Sequence, residues 1–145
     1  MTKGKISFEL KNNLSELDTL EQKLRQFAKQ LGLTEKCYHE INLVLEELFT
    51  NIISYGYKDS EEHLIQIAIS HEMGTLVMMI EDDGIPFNPI DAEEVDLECP
   101  LEKRKPGGFG IHLTKALVDD MVHWRYGNRN ILTLKKHLTE PCSPG

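Results

Sequence analysis

Cysteine is scarce in this chain, and the three present, Cys37, Cys99 and Cys142, are odd in number and widely spaced. A disulfide framework or a zinc site wants close pairs such as C-x-x-C, so the thiols read as buried or incidental. The histidines (39, 63, 71, 112, 123 and 137) are likewise scattered, with no metal-ligand spacing. Long apolar runs are missing too: nothing approaches the roughly 20 residues that span a bilayer. Met1-Thr2-Lys3-Gly4-Lys5 leads into an alternating segment and not into the apolar core of a signal peptide, so a cytoplasmic protein without a membrane partner is expected. Positive charge is in deficit. Sixteen Lys and Arg against 24 Asp and Glu leave a net charge of −8, which argues against direct nucleic-acid binding.

What is present is an ordinary globular composition, 40% apolar and 28% charged over 145 residues, which fits one domain spanning 1–145. Ile6-Ser7-Phe8-Glu9-Leu10 alternates like a half-buried strand. Asn12, Asn13 and Ser15 offer caps for a helix with Leu14, Leu17, Leu20, Leu24, Phe27 and Leu31 on one stripe, and Gly32 is placed to end it. Thr34 opens a second helix that stops near Gly56. Leu64 to Ile69 and Thr75 to Glu81 read as strands joined by His71-Glu72-Met73-Gly74. From Asp82 to Gly110, four prolines, four glycines and an acidic run leave little room for a strand or long helix; a loop this long is often a functional lid. Ile111 to Val122 reads as helix, and Val122 to Tyr126 with Ile131 to Lys135 as a closing hairpin across residues 127–130. This order predicts a two-layer α/β (α+β) sandwich, a mixed, mostly antiparallel sheet with helices on one face.

Three stretches carry chemistry. Glu47 and Asn51 lie four residues apart, so a helix stacks them on one face, and both offer hard oxygens that suit a divalent metal. Glu46 sits about 100° round the helix from Glu47 and points elsewhere. Asp83, at a strand end before Gly84, could accept a hydrogen bond from an exocyclic amine while the glycine admits a flat ring; alone, the pair would read as a turn. Gly107-Gly108-Phe109-Gly110 runs into a helix, where free backbone N–H groups and the helix N-terminus suit phosphate. It is neither a Walker loop nor a dinucleotide fingerprint.

In order and spacing, these stretches resemble the ATP-binding domain of the GHKL (Bergerat-fold) superfamily, with Glu47-x-x-x-Asn51 as N box, Asp83 with Gly84 as adenine-binding G1 box, and Gly108-Phe109-Gly110 as G2 box. The wording Asp83-Gly84-Ile85-Pro86-Phe87, with Pro86 where other branches carry glycine, looks most like the anti-sigma-factor serine kinases of RsbW type. The resemblance implies ATP and Mg²⁺ as cofactors, Asn51 as the Mg²⁺ ligand and Glu47 as the general base toward a serine hydroxyl. It further implies Asp83, Gly84, Pro86 and Phe87 around adenine, and Gly107, Gly108, Phe109 and Gly110 at the phosphates. An ATP lid spans about 88–107, from which Arg104 or Lys105 would offset γ-phosphate charge. The implied partners are an anti-sigma-factor antagonist, as serine substrate, and a sigma factor, with a homodimer as the assembly. From a different class, the same site would serve a catalytically weak ATP-gated interaction module.

Overall fold

A computed structural model describes residues 4–86 and 114–138. Among them β1 (Gly4–Lys11), α1 (Leu17–Leu31), α2 (Glu35–Tyr55), β2 (Leu64–Glu72), β3 (Thr75–Asp82), β4 (Asp120–Tyr126) and β5 (Arg129–His137) follow in chain order. The strands form one sheet in the order β1-β2-β3-β5-β4, and all four pairings are antiparallel. A 3₁₀ turn, Leu14–Glu16, precedes α1.

Gly32 and Thr34 mark helix ends as the sequence suggests, but α1 itself starts after Glu16 without a side-chain cap, and Leu14, expected on its apolar stripe, lies in the preceding 3₁₀ turn and is exposed. Asn13 caps the 3₁₀ turn by accepting from the Ser15 N–H. Thr34 Oγ1 accepts from the Cys37 N–H at 3.1 Å, which satisfies one orphan donor of α2. Gly32 closes α1 at φ 67°, a left-handed conformation that glycine adopts without a Cβ penalty. Arg25 joins the helices, with its guanidinium 3.8 Å from the Tyr38 ring centroid and hydrogen-bonded to both Glu35 oxygens.

Period-two alternation decides which face of the sheet the helices cover. Ile65, Ile67 and Ile69 of β2, Leu76, Met78 and Ile80 of β3, and Leu132 and Leu134 of β5 are all buried. They pack with Leu20, Leu24 and Phe27 of α1 and Ile41, Leu45, Leu48 and Phe49 of α2 in one core. Each such side chain contributes about 1.5–3 kcal/mol by leaving water.

Two boundaries differ from the sequence expectation. Helix is seen at 114–117 and not beyond, since Asp120 already pairs with Lys135 as the first residue of β4. The Asp119 N–H donates to the Lys135 carbonyl and the Asp119 carboxylate accepts from the His137 N–H, so sheet pairing overrides helix propensity there. The closing hairpin is also tighter than read: Tyr126 pairs with Arg129, leaving only Gly127 and Asn128 as the turn. Residues 111–113, like the expected lid, lie outside the described residues.

Candidate functional site

Helix α2 carries Asn51 on its core side, four residues after Glu47. Asn51 is 4% exposed, and its Nδ2 has no hydrogen-bond partner among the described residues. A buried donor left unpaired costs about 1–3 kcal/mol, so this carboxamide is made to meet something polar. Glu47 is half-buried on the same helix. Glu46, as expected, is engaged elsewhere and accepts from Asn42 Nδ2 at 3.3 Å.

Asn51 faces a cavity of about 20 Å³, lined also by Leu48, Ile52, Ile80, Leu132 and the polar trio Asp82, His123 and Asn130. That volume takes a single water-sized group. Asp82 is 5% exposed, and burial pushes its carboxyl pKa up against the opposing pull of hydrogen bonds from Asn130 and Gly84. The Gly84 N–H donates to Asp82 Oδ1 at 2.8 Å, and Asn130 Nδ2 donates to the same oxygen at 3.0 Å. The Asn130 amide also reaches the Ile85 carbonyl at 2.8 Å, and Arg125 donates to the Gly84 carbonyl at 2.8 Å. The β4–β5 hairpin thus holds the turn after β3 at three points.

Asp83, expected as the adenine reader, is not among the residues that line this cavity. Strand alternation explains why: after Leu76, Met78 and Ile80, the next inward position is Asp82, and Asp83 turns to the rim. Asp83 also abuts Gly84, so the one-residue gap of an Asp-x-Gly box is met by Asp82-Asp83-Gly84. At the rim Asp83 meets His63 Nδ1 at 3.1 Å, while His63 Nε2 meets Asp59 at 2.8 Å. With a carboxylate on each ring nitrogen the cationic form of the imidazole is favoured: its pKa is raised, first by Asp59, and that of Asp59 is lowered in turn. Tyr57 stacks on the His63 ring at 4.2 Å between centroids. Asp59, Glu61 and His63 do present ligand atoms within 4.8 Å of one another, a grouping the scattered histidine spacing gave no sign of.

Packing alone already requires a glycine at position 84. A Cβ there would collide with the Gly56 carbonyl oxygen, which itself accepts from the Ile85 N–H at 2.7 Å. Close packing of the β3 turn on the end of α2 therefore fixes this glycine. Pro86 is exposed beyond it. Phe87, Arg104, Lys105, Gly107, Gly108, Phe109 and Gly110 lie outside the described residues. Asp82, Asn130 and His123 were missed by sequence reasoning, although the alternation of β3 carried the signal for the first.

This arrangement can be set beside known proteins. The histidine kinase-like ATPase domain matches residues 10–136. The chain belongs to that family. Within it the chain is of the GHKL RsbW type. It is 28% identical over 121 residues to the serine-protein kinase RsbW of Oceanobacillus iheyensis, which covers 78% of this chain and 73% of that one. It is 30% identical over 115 residues to the anti-sigma F factor of Priestia megaterium, covering 78% of each. Among solved structures, the RsbU and RsbW domains of Rv1364c from Mycobacterium tuberculosis match with a TM-score of 0.64 at 16% identity, over 96% of this chain and 34% of that one. That likeness speaks for the fold.

Residues present in the site fit the family's nucleotide and metal. Glu47 and Asn51 supply oxygens of the kind Mg²⁺ takes, and the orphaned Asn51 amide is a donor awaiting an acceptor. No helix of the described residues is long and apolar enough to cross a membrane.

Proposed function

We propose that this chain binds ATP with Mg²⁺ and transfers the γ-phosphoryl group to a serine hydroxyl of an anti-sigma-factor antagonist, while a sigma factor is its second partner. The observation that carries the reading is a buried, unpaired amide at Asn51 and a buried, half-satisfied carboxylate at Asp82 beside a cavity with room for one water-sized group, the nucleotide itself lying outside that cavity. Asp82 takes the place first given to Asp83. A carboxylate only accepts, so Asp82 selects the exocyclic amine of adenine. Asn51 would hold the metal through Oδ1 and donate from Nδ2 to a phosphate oxygen or water. Bound Mg²⁺ would neutralise charge on the phosphates. Glu47, one turn before Asn51, accepts the serine proton as the hydroxyl oxygen bonds to the γ-phosphorus and the bond to the β–γ bridging oxygen breaks, releasing ADP. Gly107, Gly108, Phe109 and Gly110 would receive the phosphates, with Arg104 or Lys105 near the γ-phosphate. A homodimer working in the cytoplasm is the assembly that goes with this reading.

The test is direct. Wild-type protein incubated with γ-labelled Mg-ATP and the cognate antagonist should yield phosphoserine, and Glu47→Ala should bind ATP but transfer nothing. ATP binding without transfer, coupled to nucleotide-dependent capture of a partner, would support the gated interaction module instead. If ATP does not bind, both readings fall.

A further inference from the structure

Asn130 is 5% exposed and stands across the β3–β5 ladder from Asp82. Both of its amide hydrogens are committed, one to Asp82 Oδ1 at 3.0 Å and one to the Ile85 carbonyl at 2.8 Å. Its Oδ1 meets His123 Nε2 at 3.3 Å. The amide cannot be reversed, because its oxygen would then face two acceptors. Asp82 Oδ1 is in turn filled by Asn130 and by the Gly84 N–H. Hydrogen bonds to Asp82 from the described residues fall on that one oxygen, which leaves Oδ2 to a ligand.

We infer that Asn130 is the positioning residue that sets base preference in the nucleotide site, filling one oxygen of Asp82 and leaving the other aimed so that a purine is accepted by a 6-amino group and refused with a 6-keto group. This inference rests on the nucleotide-binding reading above. The physical reason is that Asn130 is an amide donor that does not ionise. As long as it donates, Asp82 has no need of a proton and can only accept, which suits an amine and repels a carbonyl oxygen. An aspartate at 130 would reverse this. Two carboxyl groups about 3 Å apart share a proton, and a protonated carboxyl can donate to a keto oxygen. His123, on the far side of Asn130, lines the same cavity.

The test is equilibrium binding of three nucleoside triphosphates to the full chain: ATP, the 6-keto analogue inosine triphosphate, and purine riboside triphosphate, which carries hydrogen at that position. Wild type should prefer ATP over both. Asn130→Asp should narrow the ATP-to-inosine ratio by about tenfold or more, the size of one hydrogen bond, and the narrowing should be greater near about pH 5.5 than near about pH 8. Asn130→Ala, checked for folding by circular dichroism, should lower ATP affinity and bring ATP and the purine analogue closer together. Equal weakening of all three nucleotides, with ratios unchanged at both pH values, would make Asn130 merely structural and overturn the inference. Wild type that binds ATP selectively while both variants keep that selectivity sinks the inference alone. Wild type that binds no nucleotide sinks the nucleotide reading and this inference together.

Discussion

Asp82 and Asp83 are chain neighbours, yet Asp82 is 5% exposed in a cavity with Asn51 and Asn130, whereas Asp83 stands at the rim against His63. One backbone step reverses the face of the strand and with it the chemistry. The rim carboxylate has found a histidine whose other nitrogen is held by Asp59. The buried one has only neutral donors, both on one oxygen, and burial raises its pKa. A protein that leaves a carboxylate desolvated and half-satisfied has reserved it for something else. Asp83, with its partner, is a fastening between the α2–β2 connection and the end of β3.

The largest effect should come from cutting the buried member. Asp82→Ala removes the proposed acceptor for the base and should weaken ATP by about 100-fold, near 3 kcal/mol, the upper range for a hydrogen bond to a charged group. Asp83→Ala should leave affinity within about threefold, since it touches the rim alone. Titration calorimetry on the two variants decides it. The opposite order would return the base to Asp83 and break the comparison.

Next in size is Gly84→Ala, which acts on both aspartates through the turn that carries them. Its Cβ would meet backbone of Gly56 and the Asp82 Oδ1 atom, and neither can move without opening the β3–α2 contact. A loss of about 2 kcal/mol in unfolding free energy is expected from such overpacking, read by denaturant melts. ATP affinity should fall with it, because Gly84 holds Asp82 Oδ1.

The sequence made much of this visible and hid the rest for definite reasons. Alternation in β1, β2 and β3 and the stripes of α1 and α2 gave the layers, and Gly32 and Thr34 announced helix ends through their caps, whereas Asn13 caps only the 3₁₀ turn before α1. The end of the helix at 114–117 was not readable, because pairing of Asp120 with Lys135 is a contact of the folded sheet. Asn51 could be found from its spacing to Glu47. Adjacency to glycine points to Asp83, whereas extending Leu76, Met78 and Ile80 by one period points to Asp82, the residue that lines the cavity. Asn130 and His123 had no local signal at all. They reach the site only because β5 lies beside β3 and β4 beside β5.

A smaller effect sharpens the same contrast through stability. Asp82→Asn keeps the shape and removes a charge that burial disfavours, so the apo protein should gain about 1 kcal/mol, the usual scale of one stabilising substitution. Because the folded pKa of Asp82 lies above its unfolded value, folding is favoured at this site below the unfolded pKa. That advantage is lost as pH rises through the folded one, and the amide should therefore gain most at neutral pH. The same variant should lose discrimination for the adenine amine. A variant both more stable and less able to bind would mark Asp82 as functional; one less stable would make it structural.

The least effect belongs to the rim. The His63 pKa is raised by Asp59 first, against desolvation, and then by Asp83, so the fastening is strongest when the ring is protonated. Its contribution to stability is fully present below the unfolded histidine pKa of about 6.5, and is lost as pH rises through the higher folded value. Wild-type protein should therefore lose melting temperature across that window more than His63→Gln does. Removing Asp83 should shrink the pH dependence only in part, because Asp59 still faces Nε2. Tyr57 stays stacked on the ring in either state and should hold its place. ATP affinity of His63→Gln at low and high pH supplies the last comparison. If it stays constant while stability changes, rim and cavity are energetically separate despite adjoining residues. A drop in ATP affinity that follows the protonation of His63 would show that the two aspartates act through one turn.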